Sequence, residues 1–138
     1  ERFYAEMVEK LTAPEGEQYF RELYTSFFGP QADRSLVETA VAEACHTPVD
    51  VRVKEIRLMT ADSATPAAAM QQPTLVMVGP WMAEAFPQAA DPGHLKSCFK
   101  QVEQVELARA IGTGHFLQLE VPDQVNAFIT SFVSRLAS

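Results

Sequence analysis

The chain has 138 residues, 47% of them hydrophobic and 21% charged, the proportions of one ordinary globular domain, or a piece of one, able to bury a core. A net charge of −7, with eleven scattered Lys and Arg residues, supplies no basic patch and excludes DNA and RNA as expected partners. No apolar run approaches the ~20 residues that span a bilayer, and no basic-then-apolar signal segment opens the chain, so no membrane partner and a cytoplasmic location are expected.

Glu1 enters helical periodicity without a preceding cap, which suggests a processed chain or a fragment beginning partway through a larger fold. Phe3, Tyr4, Met7, Val8 and Leu11 recur at three- and four-residue spacing and predict a helix over 2–12, stopped before Pro14. Tyr19, Phe20, Leu23, Tyr24, Phe27 and Phe28 form an aromatic stripe on a second helix that ends at Gly29-Pro30, with Gly29 suited to a left-handed cap. These rings either pack a core or line an apolar pocket. Asp33 or Ser35 can cap a third helix whose buried face is Leu36, Val37, Ala40, Val41 and Ala44 and which ends near His46, a helix-end or surface histidine. Val49, Val51 and Val53 alternate as in a strand, yet Pro48, Asp50 and the run to Leu58 also fit a helix, and the segment is read as helical.

Residues 60–73 are small and polar and read as a loop with room for one helical turn. Beyond it the pattern changes. Thr74-Leu75-Val76-Met77-Val78 is a continuous apolar run between Pro73 and Gly79, as in a parallel strand buried on both faces. The loop from Gly79 to Pro87 leaves that strand's carboxyl end, where open α/β sheets bind ligands. Trp81 in it can touch a ligand or simply cover the strand end. A helix near 94–101, with Leu95, Cys98, Phe99 and Val102 inward, leads to a second strand near 105–111 and completes a βαβ unit. The second strand delivers the stretch Gly112-Thr113-Gly114-His115-Phe116 to the same sheet edge, and Val125, Phe128, Ile129, Phe132, Val133 and Leu136 mark one face of a last helix opened by Pro122 and Asp123. Cys45 and Cys98 lack metal-ligand spacing, which predicts reduced, half-buried thiols and no metal site.

The strand Pro73 to Gly79, the crossover helix, the second strand, and then Gly114-His115-Phe116 with Glu120 and Pro122 before an amphipathic helix resemble the C-terminal third of an α/β-hydrolase. The helices before residue 60 resemble much of that family's cap or lid. The resemblance implies an α/β chain with an incomplete α/β-hydrolase fold: a helical cap segment over 1–60, a linker over 61–73, and over 74–138 a βαβα unit with two parallel strands. It implies that His115 is the catalytic histidine, taking the proton of a serine hydroxyl and returning it to the leaving group. The activity implied is a serine hydrolase acting on an ester, lactone, amide or activated C–C bond of a small apolar or aromatic substrate, without metal or organic cofactor. Trp81, Met82, Phe116, Tyr24 and Phe28 are the candidate substrate contacts.

The chain departs from the family's pattern in two places. None of its six glycines brackets a serine as Gly-x-Ser-x-Gly, the elbow that carries the nucleophile. Many members carry an aspartate where this chain has Met82; Glu84, two residues later, is either a substitute acid or a solvated carboxylate, and other members place the acid after the preceding strand. The nucleophile, the remaining strands and the oxyanion donors are therefore expected before Glu1, so that this chain alone is inactive. Two parallel strands also leave open edges, which calls for a second polypeptide or a second copy of this chain. The alternative is a non-catalytic module that keeps the architecture without the chemistry. An unrelated small α/β binding domain would leave the stretch around His115 unexplained.

Overall fold

The computed structural model of the chain describes residues 2–136. Among them lie nine α-helices and a two-stranded parallel sheet, arranged as two units. The first contains the chain through Phe27 and Asp33–Asp62; the second contains Phe28–Ala32 and the chain from Ser63 onward.

The helical unit is built from α1 (Arg2–Thr12), α2 (Gly16–Ser26), α3 (Arg34–Cys45) and α4 (Val49–Leu58). Met7, Leu11 and Ile56 form its core, and the half-buried Tyr4, Val8, Tyr19, Phe20 and Leu23 pack against them, so part of the aromatic stripe serves packing. Burying a side chain such as Leu11 contributes roughly 2 kcal/mol. Asp33 caps α3 by accepting from the Leu36 amide at 2.9 Å, and Ser35 supports it by donating to the same carboxylate. The helical reading of 49–58 holds, with Pro48 at the cap position. Arg52 on α4 is buried, and its charge is held by Glu17 at 2.9 Å, the Cys45 carbonyl at 2.6 Å and the ring of Phe20 lying 3.9 Å away. A buried guanidinium needs that number of partners. In return, the Arg52 hydrogen bond holds the Glu17 carboxyl below its ordinary range.

α2 ends at Ser26, short of Gly29, and Phe27 closes it in right-handed conformation. Gly29 therefore is no left-handed cap; among the described residues only Gly112 has positive φ, at 70°. What demands glycine at 29 is a close backbone approach, described below.

The α/β unit contains α5 (Ala64–Ala69), β1 (Thr74–Val78), α6 (Pro80–Ala85), a 3₁₀ turn (Pro87–Ala90), α7 (Pro92–Cys98), β2 (Val105–Arg109), α8 (Leu117–Glu120) and α9 (Pro122–Leu136). β1 and β2 pair in parallel from Thr74 opposite Val105 to Val78 opposite Arg109. The Thr74 amide donates to the Gln104 carbonyl and the Val78 carbonyl accepts from the Ala110 amide, so the alternate residues Leu75 and Met77 turn their backbone groups to the other edge.

Three expectations change here. Within β1 only Val78 is buried and the other four residues are half-buried, because a two-stranded sheet cannot cover both of its own faces. The stretch after β1 is a helix and a 3₁₀ turn: Pro80 fits the first helical position, where its missing amide costs nothing, and Pro87 starts the next turn. On α9, Val125 and Phe132 are buried, while Ile129, Val133 and Leu136 of the same stripe are exposed. α7 begins at Pro92, capped by the Asp91 carboxylate on the Gly93 and His94 amides.

Candidate functional site

Each strand of the sheet ends in a segment bearing residues of chemical interest, and the α/β unit brings these segments together. β1 runs through the buried Gly79 into α6, where the Gly79 carbonyl accepts from the Ala83 amide at 3.1 Å and the Met82 carbonyl from Phe86 at 2.8 Å. This turn carries Trp81 and Met82, both half-buried, and Glu84, whose carboxylate is exposed.

β2 runs into Ala110, Ile111 and Gly112. Gln124 on α9 fastens this exit from both sides, accepting from the Ile111 amide at 3.0 Å and donating to the Ile111 carbonyl at 2.9 Å. Gly112 turns the chain at φ 70°, and Thr113 and Gly114 bury themselves. Gly114 fits only against other glycines. A Cβ on Gly29 would lie 2.8 Å from the Gly114 nitrogen, and one on Gly79 would lie 2.5 Å from the Gly114 carbonyl oxygen.

His115 follows, half-buried. Its ring meets Trp81 edge-on at 5.1 Å and Phe116 at 5.2 Å, and Phe116 rests on the buried Phe28 at 4.8 Å. Four of the sequence candidates, His115, Trp81, Phe116 and Phe28, thus form one chain of ring contacts. Tyr24 belongs to the helical unit, against Phe20 and Phe27. Beside the ring chain opens a cleft of about 340 Å³ walled by Phe28, Pro30, Trp81, Glu84 and Gly112 to Gly114. The hydroxyl oxygen of Thr113, at this wall, is buried without a hydrogen-bond partner.

Burial pushes the His115 imidazole below its ordinary pKa, because a desolvated ring resists taking up charge, and the nearby Glu120 carboxylate works in the opposite direction. Burial thus favours the neutral ring, the form that can accept a proton. Glu120, unassigned from sequence, joins two of these backbone segments. The Glu120 Oε1 accepts from the Gly114 amide at 3.0 Å, while Oε2 accepts from the Gly29 amide at 2.8 Å and from Gly114 at 3.1 Å. Its place six residues after Gly114 was visible, but its partner 91 residues away has no local signal.

Elsewhere, Cys45 and Cys98 are free and half-buried, and the Cys98 sulfur lies 3.5 Å from Nε2 of His94 on the same helix. His46 is exposed beside Glu43. Among the described residues no cluster of three His, Cys, Asp or Glu side chains is placed to hold a metal ion, and no helix is long and apolar enough to cross a membrane.

No protein-family model and no curated protein matches the chain. Among solved structures it is similar to a thermophilic esterase from Thermogutta terrifontis, in a malate-bound form, with 17% sequence identity and a TM-score of 0.70. The likeness covers 99% of this chain and 50% of that one, so the chain spans half the length of the esterase it matches. At that identity the likeness is one of fold.

Proposed function

We propose that the chain is the C-terminal part of a serine hydrolase of the α/β-hydrolase type, with His115 as its general base and acid. The observation that carries this is the placement of His115: it stands just beyond the carboxyl end of β2, half-buried, its ring against Trp81 from the segment after β1, and its neighbours Trp81 and Gly114 line a cleft that His115 itself does not line. The likeness of fold to part of an esterase supports the same reading. His115 takes the proton from a serine hydroxyl as the oxygen attacks an ester, lactone or comparable carbonyl, and gives it to the departing group. The serine belongs to a second polypeptide segment bearing Gly-x-Ser-x-Gly, since these 138 residues contain no such elbow. The helical unit serves as the cap, and the cleft accepts a small apolar or aromatic acyl or alcohol group.

The test is covalent labelling with a fluorophosphonate. The chain alone remains unlabelled; joined to an upstream half that supplies the elbow, the protein labels at the serine, and His115→Ala abolishes labelling. A folded, complete protein that fails to label would sink the proposal. Met82, half-buried where many α/β-hydrolases carry their acid, favours a second reading as a non-catalytic binding module. Under it, His115→Ala leaves ligand binding unchanged.

A further inference from the structure

His115 is fastened on both sides to the same short segment, Phe28–Ala32. On its amino side the Gly114 amide and the Gly29 amide share the Glu120 carboxylate, at 3.0 Å and 2.8 Å for their shortest contacts. On its carboxyl side Phe116 packs on Phe28 at 4.8 Å. The single turn of α8 makes the first fastening possible, because the Glu120 amide bonds back to the Phe116 carbonyl at 3.0 Å and returns the side chain toward Gly114. No side chain can enter the seam, since a Cβ on Gly29 would also lie 3.0 Å from the Glu120 Oε2.

We propose that Glu120 is a positioning residue for His115: its carboxylate draws Gly29 and Gly114 together, sets where the imidazole emerges, and supplies the negative charge that acts on the ring. This rests on the reading of His115 as the base, but it names a carboxylate other than Glu84 as the one that serves it. A carboxylate that accepts from backbone amides is a strong acceptor, and its charge acts on the His115 ring in the direction opposite to burial. The charged groups on the elements around the ring are Glu84 of α6, Glu120 of α8, and Asp123 and Arg135 of α9, the last in α9's final turn and paired with Glu106, while Phe28–Ala32 contributes none. Among them, Glu120 is the one whose field favours the protonated ring.

The experiment is a pH titration of the His115 ring signals by NMR, using the chain as it stands, with His46 and His94 as internal references and His115→Gln to assign the signal. Glu120→Gln moves the His115 midpoint downward and speeds hydrogen exchange of the Gly29 and Gly114 amides by at least about tenfold, as loss of a charged acceptor requires. Glu84→Gln leaves the midpoint in place. Glu120→Asp keeps the charge but withdraws it by one methylene, so both amides lose protection while the midpoint moves less than in Glu120→Gln; this variant decides the matter if Glu120→Gln does not fold. An unchanged midpoint in folded Glu120→Gln, unchanged amide exchange in folded Glu120→Asp, or a fall with Glu84→Gln as large as with Glu120→Gln would each overturn the proposal. None of these readings needs a nucleophile, so their failure is separate from failure to label with a fluorophosphonate.

Discussion

The segments that leave β1 and β2 reach the same site by different means. The first, from Gly79 through Ala90, is held mainly by bonds between its own amides and carbonyls, with Arg109 of β2 donating to the Ala90 carbonyl at its end, and Glu84 projects outward without an ion-pair partner among the described residues. The second, from Ala110 to Val121, is held by side chains that tie it to other parts of the unit: Gln124 of α9 bonds Ile111, and the segment's own Glu120 bonds Gly114 and reaches out to Gly29. A self-contained turn fixes its own conformation, whereas side-chain fastenings fix where a segment stands relative to its neighbours. The histidine lies on the segment of the second kind. Under the proposed role of His115 as general base its placement matters, since a misplacement of about 1 Å can cost ~100-fold in rate.

The contrast can be broken most forcefully at the contact between the two segments. Gly79→Ala puts a methyl group 2.5 Å from the Gly114 carbonyl oxygen, although the extended backbone at 79 suits any residue. The expected loss is about 3 kcal/mol of unfolding free energy, measured by denaturant titration. Gly93→Ala, whose added carbon meets only the Asp91 side chain at 3.4 Å, serves as the tolerant control.

Gly112→Ala tests the second segment alone. Its nearest new neighbour is the Gln31 amide oxygen at 3.8 Å, so the cost comes from φ of 70° and amounts to roughly 1 kcal/mol. In the same denaturant titrations it ranks clearly below Gly79→Ala.

His115 gives a smaller effect that depends on pH. Burial lowers its pKa in the folded state, so as pH falls the unfolded chain takes up the proton first. Its contribution is fully present above the ordinary histidine value and is lost as pH falls through that value toward the lower, folded one. Unfolding midpoints between pH 7.5 and 5.5 therefore drop more for the native chain than for His115→Gln, a window chosen at about one unit above and below the free imidazole value. Equal slopes would remove burial as the cause. The smallest effect belongs to Glu84→Gln on the first segment, within about 0.5 kcal/mol of the native chain by thermal unfolding, as for an exposed side chain away from any partner.

Much of this organisation is legible in the sequence. The spacing from Phe3 to Leu11 and the Asp33 cap mark α1 and α3, and the apolar run between Pro73 and Gly79 marks β1, because these signals are local and repeat with the period of the element. α6 is hidden because Gly79-Pro80 and Pro87 read as breaks, although a proline in the first turn supports a helix as readily as it ends one. Gly29 looks like a helix cap for a similar reason: its true constraint is the Gly114 backbone, which no local pattern encodes. The stripe on α9 is plain, yet periodicity marks an apolar face without telling what covers Ile129, Val133 and Leu136. At the site, the glycines announce His115, while Glu120 needs the fold to reveal its bond to Gly29.

The edge contact between Trp81 and His115 gives the molecule an optical property. Trp81 is the single tryptophan of the chain, so all indole emission originates beside this imidazole. A protonated imidazole quenches a neighbouring indole more strongly than a neutral one, and histidine changes charge within the range of ordinary buffers. Unlabelled protein in a fluorimeter thus reports the charge of His115 directly, and its emission dims as the ring takes up a proton.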